Sequence, residues 1–455
     1  MKRCLIVVYC YVLYLSTNLG GVRKLKQFKF DIDYVREQFP SLCKTVNGYP
    51  AAFLDGPGGT QVPRSVVERV NDYLYYHNAN AHGNFKTSRE SDRIFWESRE
   101  VIADFLNCDP EEVSFGSNSS TNNFILAFSL LRIMKPGDEI IITEIDHEGN
   151  RSPWLTLKDF GMVVKEVKVD PKTYTLDLED YKSKLSDKTK VVAINWASNA
   201  TGTITDVKTY IKLAHEVGAL TVVDAVHYAL HKTIDVRDID TDFLLCSAYK
   251  FFGPHIGILY SKAEVGKKLK TVRVMADDNT EIPDKFEIGT IAMEHAAGAA
   301  AAVEFIADIG RMHEEYFTDE LEGLTGRRRL VVAGIKAIEA YEEPLARKLR
   351  DELSAIEGVT VYSPPEDVPK TSTVSFTVEG INSAELGTYL GDRGIFVWDG
   401  HFYAMHLINN VLDLKDQGGV VRIGLAPYNT ADEVDRTIQA VKDFIYNNWR
   451  GNPLL

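Results

Sequence analysis

Short apolar runs separated by helical patterns recur along most of the chain. Asp138 to Thr143 follows the Pro136-Gly137 break and reads as a buried strand. Val163 to Val169 alternates apolar and polar positions. Lys190 to Trp196, Leu220 to Ala225 and Asp242 to Ser247 are β-rich runs, each closed by polar or small residues. Helical stretches lie between them, such as Val207 to Val217 before the Gly218 stop. This alternation predicts a mostly parallel, doubly wound α/β sheet covered on both faces. Ligands of such sheets collect at the carboxyl ends of the strands, so the chemistry is expected just after the apolar runs.

The texture changes toward the C-terminus. Gly298 to Ile309 is Ala-rich and helical, Met312 to Ala340 continues as charged, mostly helical sequence, and Pro344 is expected to mark an interruption soon after. Thr371 to Val378, Gly394 to Trp398 and Gly418 to Leu425 read as strands, and Ala431 to Asn448 as an amphipathic helix. The expected organisation is an apolar extension over 1–25, a large α/β domain over 26–324 and a smaller α+β domain over 325–455. In the extension, Met1 to Arg3 carry positive charge and Cys4 to Leu15 are almost wholly apolar, the shape of a signal peptide too short to span a bilayer. Ser16 to Gly21 offer no good cleavage site, which favours sequence upstream of the true start over a targeting segment.

Composition narrows the classes. Over 455 residues, 45% hydrophobic and 25% charged content is ordinary for a globular protein and excludes a disordered or fibrous chain. A net charge of −14 repels phosphate backbones, so no nucleic-acid partner is expected. Cys4, Cys10, Cys43, Cys108 and Cys246 show neither a metal-ligand spacing nor a disulfide framework. They read as reduced thiols of a cytoplasmic protein, with no metal site and no membrane span expected.

Five features fall where the sheet should end. Ser119 and Ser120, in Gly116-Ser117-Asn118-Ser119-Ser120-Thr121, precede a helical run, Asn122 to Met134. Free N–H groups and the helix dipole there suit a phosphate, or the segment is plain capping. His147 follows the 138–143 strand, and Asn199 follows 190–196; each is a ligand contact or a polar turn residue. Asp224 closes Leu220 to Val223 and, if buried, needs a cationic partner; alone it reads equally well as a helix cap. Lys250, in Ser247-Ala248-Tyr249-Lys250 before Phe251 to Pro254, is a desolvated Schiff-base lysine or one that reaches solvent.

Taken in this order, the chain resembles fold-type I pyridoxal-phosphate enzymes of the class V aminotransferase family, and within it cysteine desulfurases and selenocysteine lyases. The resemblance runs over about residues 35 to 450. It rests on Asp224-Ala225-Val226-His227, Ser247 to Pro254, Phe286-Glu287-Ile288-Gly289-Thr290, and Arg422 before Tyr428-Asn429-Thr430. It points to a subgroup that carries Phe396-Val397-Trp398-Asp399-Gly400-His401. The resemblance implies pyridoxal 5'-phosphate as cofactor, held by Lys250 as a Schiff base. Asp224 would pair with its pyridine nitrogen, His147 would stack on its ring and Asn199 would contact its ring hydroxyl. Ser119, Ser120, Ser247 and Tyr249 would hold the phosphate, with Thr290 contributed by the other subunit of a homodimer. Lys250 would also move the α-proton, and Arg422 would clamp the carboxylate of an amino-acid substrate.

Three departures bear on the activity. His227 stands where desulfurases usually have glutamine beside the cofactor oxygen, and Tyr249 where they usually have histidine; both still donate hydrogen bonds. Tyr403, in Gly400-His401-Phe402-Tyr403-Ala404, stands at the position of the loop cysteine that receives sulfur, and a tyrosine stores no persulfide. His401 and Tyr403 read as substrate-facing residues or as ordinary loop packing. The expectation is a pyridoxal-phosphate enzyme of an α-amino acid, cleaving a C–S or other β-substituent bond without a persulfide cysteine. An aminotransferase or epimerase on the same scaffold is the alternative, and a non-catalytic interaction protein a more distant one. The set Lys250, Asp224, His147 and Arg422 argues against the last, because no folding requirement demands it. His82 to Phe85 and Ser88 to Glu90 receive no role.

Overall fold

The computed structural model describes residues 28–274 and 281–450. The apolar run Cys4 to Leu15, with Cys4 and Cys10, lies outside the described residues. In chain order the strands used below are β1 (Ala52–Phe53), β2 (Val113–Gly116), β3 (Glu139–Thr143), β4 (Val163–Val167), β5 (Thr189–Asn195), β6 (Leu220–Asp224), β7 (Phe243–Ser247) and β8 (Gly257–Ser261). They continue with β9 (Val359–Tyr362), β10 (Thr373–Val378), β11 (Ile395–Phe396), β12 (Trp398–Gly400) and β13 (Val420–Gly424). The helices are α1 (Lys86–Leu106), α2 (Ser119–Leu131), α3 (Glu148–Thr156), α4 (Val207–Glu216), α5 (Met293–His313), α6 (Gly326–Ser354) and α7 (Ala431–Arg450).

Seven strands form the large sheet in the order β2-β8-β7-β6-β5-β3-β4. Pairing is parallel from β7 across to β4, and β8 alone runs antiparallel to both its neighbours. Alternation along each strand divides the apolar side chains between two cores. Ile141, Val192, Ile194, Val223 and Leu244 face one layer of helices. Ile140, Ile142, Val191, Ala193, Val222 and Leu245 face the other. Each such buried Val, Leu or Ile side chain contributes about 1.5–3 kcal/mol over its exposed state. Because β2, β3, β5, β6 and β7 all point one way, their carboxyl ends form a single edge.

The second lobe is an antiparallel sheet, β9-β10-β13-β12, backed by α7 and the end of α6. β1 joins this lobe: it pairs in parallel with β11, and Ala52 and Leu54 enter the core of Val374, Phe376, Val421 and Ile423. α6, starting at Gly326 beside the expected boundary, belongs to both lobes. Val331, Ile335 and Ile338 pack in the large core, while Ala346, Leu349 and Leu353 pack in the small one.

One helix expectation is refined and one corrected. The mostly helical stretch expected over Met312 to Ala340 is the end of α5 at His313, a short 3-10 turn (Glu314–Tyr316), a loop and the first half of α6. Gly323 and Gly326 take φ values of 78° and 58° there, incompatible with a continuous right-handed helix. Pro344 does not interrupt α6, which runs through it. Pro344 lies on the exposed face, and burial of the residues on either side in two cores outweighs its missing hydrogen bond. Among the described residues no helix is long and apolar enough to cross a membrane, and no cluster suited to a metal ion occurs.

Candidate active site

The carboxyl edge of the large sheet opens into a cleft of about 420 Å³ lined by Ser119, Ser120, His147, Asn199, Asp224, His227, Ser247, Tyr249 and Lys250. The strand ends thus bring nine of the sequence-predicted residues together. Two stand apart from the lining. Arg422 is buried on β13, 2% exposed, behind the loop that follows β12. Thr290 is exposed and lies outside the cleft of its own chain.

One wall is the N-terminus of α2. Asn118 caps the helix by accepting from the Thr121 N–H at 2.8 Å, and the Ser119 N–H reaches the Ser247 hydroxyl at 3.4 Å. Backbone donors, two serine hydroxyls and the positive end of the dipole converge there, a donor set matched to a phosphate. Across from it, the Gly149 N–H donates to His147 Nδ1 at 2.8 Å, which fixes that nitrogen as acceptor and the ring's orientation. Burial, with the nearby Lys250 and Arg422 charges, pushes the His147 pKa down to about 4, so the ring is neutral near neutral pH.

Asp224 lies on the cleft floor and accepts from the Val226 N–H at 2.9 Å. Burial raises its pKa to about 7; Asp146 adds to the rise and Lys250 opposes it. A buried carboxylate in that condition calls for a cationic N–H partner. Lys250 ends the 3-10 turn (Ala248–Lys250), and its Nζ donates to the Pro57 carbonyl. Burial first, then Arg422, brings its pKa down to about 7, leaving much of the amine neutral and nucleophilic near neutral pH. His227 Nε2 meets the hydroxyls of Thr373 at 2.9 Å and Thr371 at 3.2 Å, tying the cleft to β10. Tyr249 stacks on His255, with centroids 4.9 Å apart and planes 7° apart.

Asn199, Arg422 and Phe402 form the outer rim. Arg422 Nη1 donates to the Asn199 carbonyl at 2.9 Å, and Asn199 Nδ2 donates to the Phe402 carbonyl at 2.9 Å. The Arg422 guanidinium carbon lies 3.9 Å from the Phe402 ring centroid. Arg422 Nε and Asn199 Oδ1 are buried without hydrogen-bond partners. Tyr403 is 64% exposed, with its ring centroid 5.6 Å from that of His147, and its carbonyl accepts from the Glu148 N–H at 2.7 Å. Both substrate-facing expectations for this loop thus concern its rim: Tyr403 reaches His147, while His401 Nδ1 accepts from the Tyr403 N–H at 3.2 Å.

Sequence reasoning missed Asp55, Gly58, Asn195 and His255. Asp55 Oδ1 is buried without a partner, and burial raises its pKa to about 6 against the pull of Arg422 and Lys250. Gly58 lies against Trp398: a Cβ there would fall 2.1 Å from the indole Nε1. The signal was the run Asp55-Gly56-Pro57-Gly58-Gly59, a backbone with almost no side chains. The donor set at the α2 N-terminus, the buried Asp224 carboxylate and the unpaired Asn199 Oδ1 fit a flat cofactor bearing a phosphate and a protonated ring nitrogen.

Comparison with known proteins agrees with this geometry. Residues 52–437 match the family described as aminotransferase class-V. An aminotransferase-like protein of Gibberella zeae, FGM3, is 32% identical over 428 residues, 91% of this chain and 98% of the relative. A probable cysteine desulfurase of Synechocystis is 32% identical over 424 residues, 90% of this chain and 94% of the relative. The apo cysteine desulfurase of Thermococcus onnurineus superposes with a TM-score of 0.78 at 27% identity, covering 92% of this chain and 99% of that one. The chain therefore belongs to the class V aminotransferases, as a fold-type I, pyridoxal-phosphate-dependent enzyme of the cysteine desulfurase-like kind.

Proposed function

We propose that this enzyme cleaves the bond between Cβ and sulfur, or another β-substituent, of an α-amino acid, and releases the fragment to solvent without a protein persulfide. The observation that carries the reading is Tyr403. The rim loop presents a phenol beside His147, and the described cysteines are exposed Cys43, half-buried Cys108 and buried Cys246. Burial raises the pKa of the Cys246 thiol, and Asp224 adds to the rise, which suppresses the thiolate that accepts sulfur.

Bound pyridoxal phosphate supplies an electron sink for the pair left at the substrate Cα. Lys250 takes the α-proton, a task suited to an amine whose pKa lies near neutrality. Asp224 would hold a proton on the pyridine nitrogen, and His147 would lie against the ring. Arg422 holds the carboxylate, for which its unpaired Nε is available. The Cβ–S bond then breaks with its electrons on sulfur, and hydrolysis leaves sulfide, ammonia and a keto acid, with no external oxidant or reductant. We further propose a cytoplasmic homodimer in which Thr290, exposed on its own chain, completes the phosphate site of the partner.

The test is a spectrum of purified protein titrated with cysteine, alanine and other amino acids, with Lys250→Ala as the blank. The expected result is a visible cofactor band absent from Lys250→Ala, with sulfide and pyruvate formed from cysteine. Conversion to the pyridoxamine form without sulfide moves the assignment to transamination, the activity class that the name of the Gibberella zeae relative suggests. Inverted stereochemistry at Cα moves it to epimerisation, and a colourless wild type removes the enzyme reading.

A further inference from the structure

Arg422, Asn199 and Phe402 close a ring of three contacts. The arginine donates to the Asn199 carbonyl, the Asn199 amide donates to the Phe402 carbonyl, and the Phe402 ring lies on the guanidinium. The three residues come from β13, the loop after β5 and the loop after β12, so the contacts join both lobes at the cleft rim. Phe402 and its neighbour Tyr403 take φ values of 51° and 58°, left-handed conformations that bulky residues adopt only where their surroundings hold them there. The restraints are visible: the two carbonyls accept from Asn199 and from the Glu148 N–H, and the Tyr403 N–H donates to His401. An aromatic face opposite a buried guanidinium replaces part of its lost hydration and favours one orientation of its plane.

We propose that Phe402 is a positioning residue for the substrate carboxylate: its ring fixes the plane of the Arg422 guanidinium, whose Nε no protein acceptor takes up. This rests on the reading of Arg422 as the carboxylate clamp. The loop that carries a sulfur-accepting thiol in desulfurases is used here to build the binding site instead. The competing explanation is apolar packing, since Phe402 also touches the cluster of Ala404, Leu407 and Val420. Leucine preserves that packing and removes the aromatic face; tyrosine preserves both.

The experiment titrates cofactor-loaded wild type, Phe402→Leu and Phe402→Tyr with L-alanine and with ethylamine, which lacks the carboxylate, and follows the visible band. Wild type is expected to bind alanine the more tightly. Phe402→Leu should weaken alanine about tenfold and leave ethylamine and the resting spectrum unchanged, while Phe402→Tyr stays within about threefold of wild type. An unchanged alanine-to-ethylamine ratio in Phe402→Leu, or equal weakening of both, overturns the proposal, as does a wild type that does not prefer alanine. The readout is affinity, blind to which bond later breaks, so a failure of C–S cleavage leaves this result standing.

Discussion

At the scale of single residues, the site is defined by groups held away from their ordinary protonation. Asp224 is raised from 3.8 to about 7 mainly by burial, a rise that the Lys250 charge opposes without cancelling. A carboxylate whose pKa is higher in the folded chain contributes stability that is complete below pH 3.8 and lost as pH rises through about 7. The cofactor-free enzyme should therefore lose stability between these values on account of Asp224. Asn at 224 still accepts from the Val226 N–H but carries no charge. We expect cofactor-free Asp224→Asn to match wild type near pH 4 and to exceed it at pH 8 by on the order of 2 kcal/mol in urea unfolding. With cofactor the order should reverse, because the variant lacks the carboxylate that pairs with the ring nitrogen. A variant no more stable than wild type at pH 8 would show that the carboxylate is not strained.

At the scale of elements, α5 and α6 set the back of the large domain. The two helices touch backbone to backbone: a Cβ on Gly310 would fall 1.8 Å from the Leu330 carbonyl oxygen, and one on Gly334 2.0 Å from that of Ile306. Gly334→Ala adds helix propensity but forces the helices apart, a net loss of about 1–3 kcal/mol. Thermal unfolding of Gly334→Ala checks this, and an unchanged or raised midpoint would contradict it. Element reading from sequence succeeded where one environment governs a segment. The runs ending at Thr143, Asn195, Asp224 and Ser247 are buried on both faces, so their apolar content alone marks them, and His147, Asn199, Asp224 and Lys250 follow directly. It failed where two environments compete. α6 passes through Pro344 because each half is held by a different core. β1, two residues long, carries no periodicity, so only the glycine-rich run after it, and no strand end, marks Asp55 and Gly58 in the sequence. The Phe402–Arg422 contact joins a loop to the neighbouring strand within the second lobe, twenty positions apart in the chain, and no local pattern encodes it.

At the scale of the whole molecule, five parallel strands ending at one edge build a cleft, and Thr290 lies outside the cleft of its own chain. The segment before Thr290 is firmly held: the Glu287 carboxylate is buried, paired with Arg99 at 2.7 and 2.8 Å, and accepts from the Phe115 N–H. Beyond that anchor Ile288, Gly289 and Thr290 are exposed, so the loop is presented outward from a rigid base. If Thr290 completes the partner's phosphate site, the two defects of Lys250→Ala and Thr290→Ala fall in the same cleft of a mixed dimer. One cleft then carries both substitutions and the other carries none. Thr290→Ala alone should weaken cofactor binding about 10- to 100-fold, the loss of one hydrogen bond to a charged group. Co-expression of the two variants should restore wild-type cofactor affinity at about a quarter of all sites, the share expected from random pairing in a twofold dimer. Borohydride fixation at limiting pyridoxal phosphate counts those sites. A mixture that behaves as the sum of its two parents would place Thr290 in the service of its own chain, or of no cleft at all.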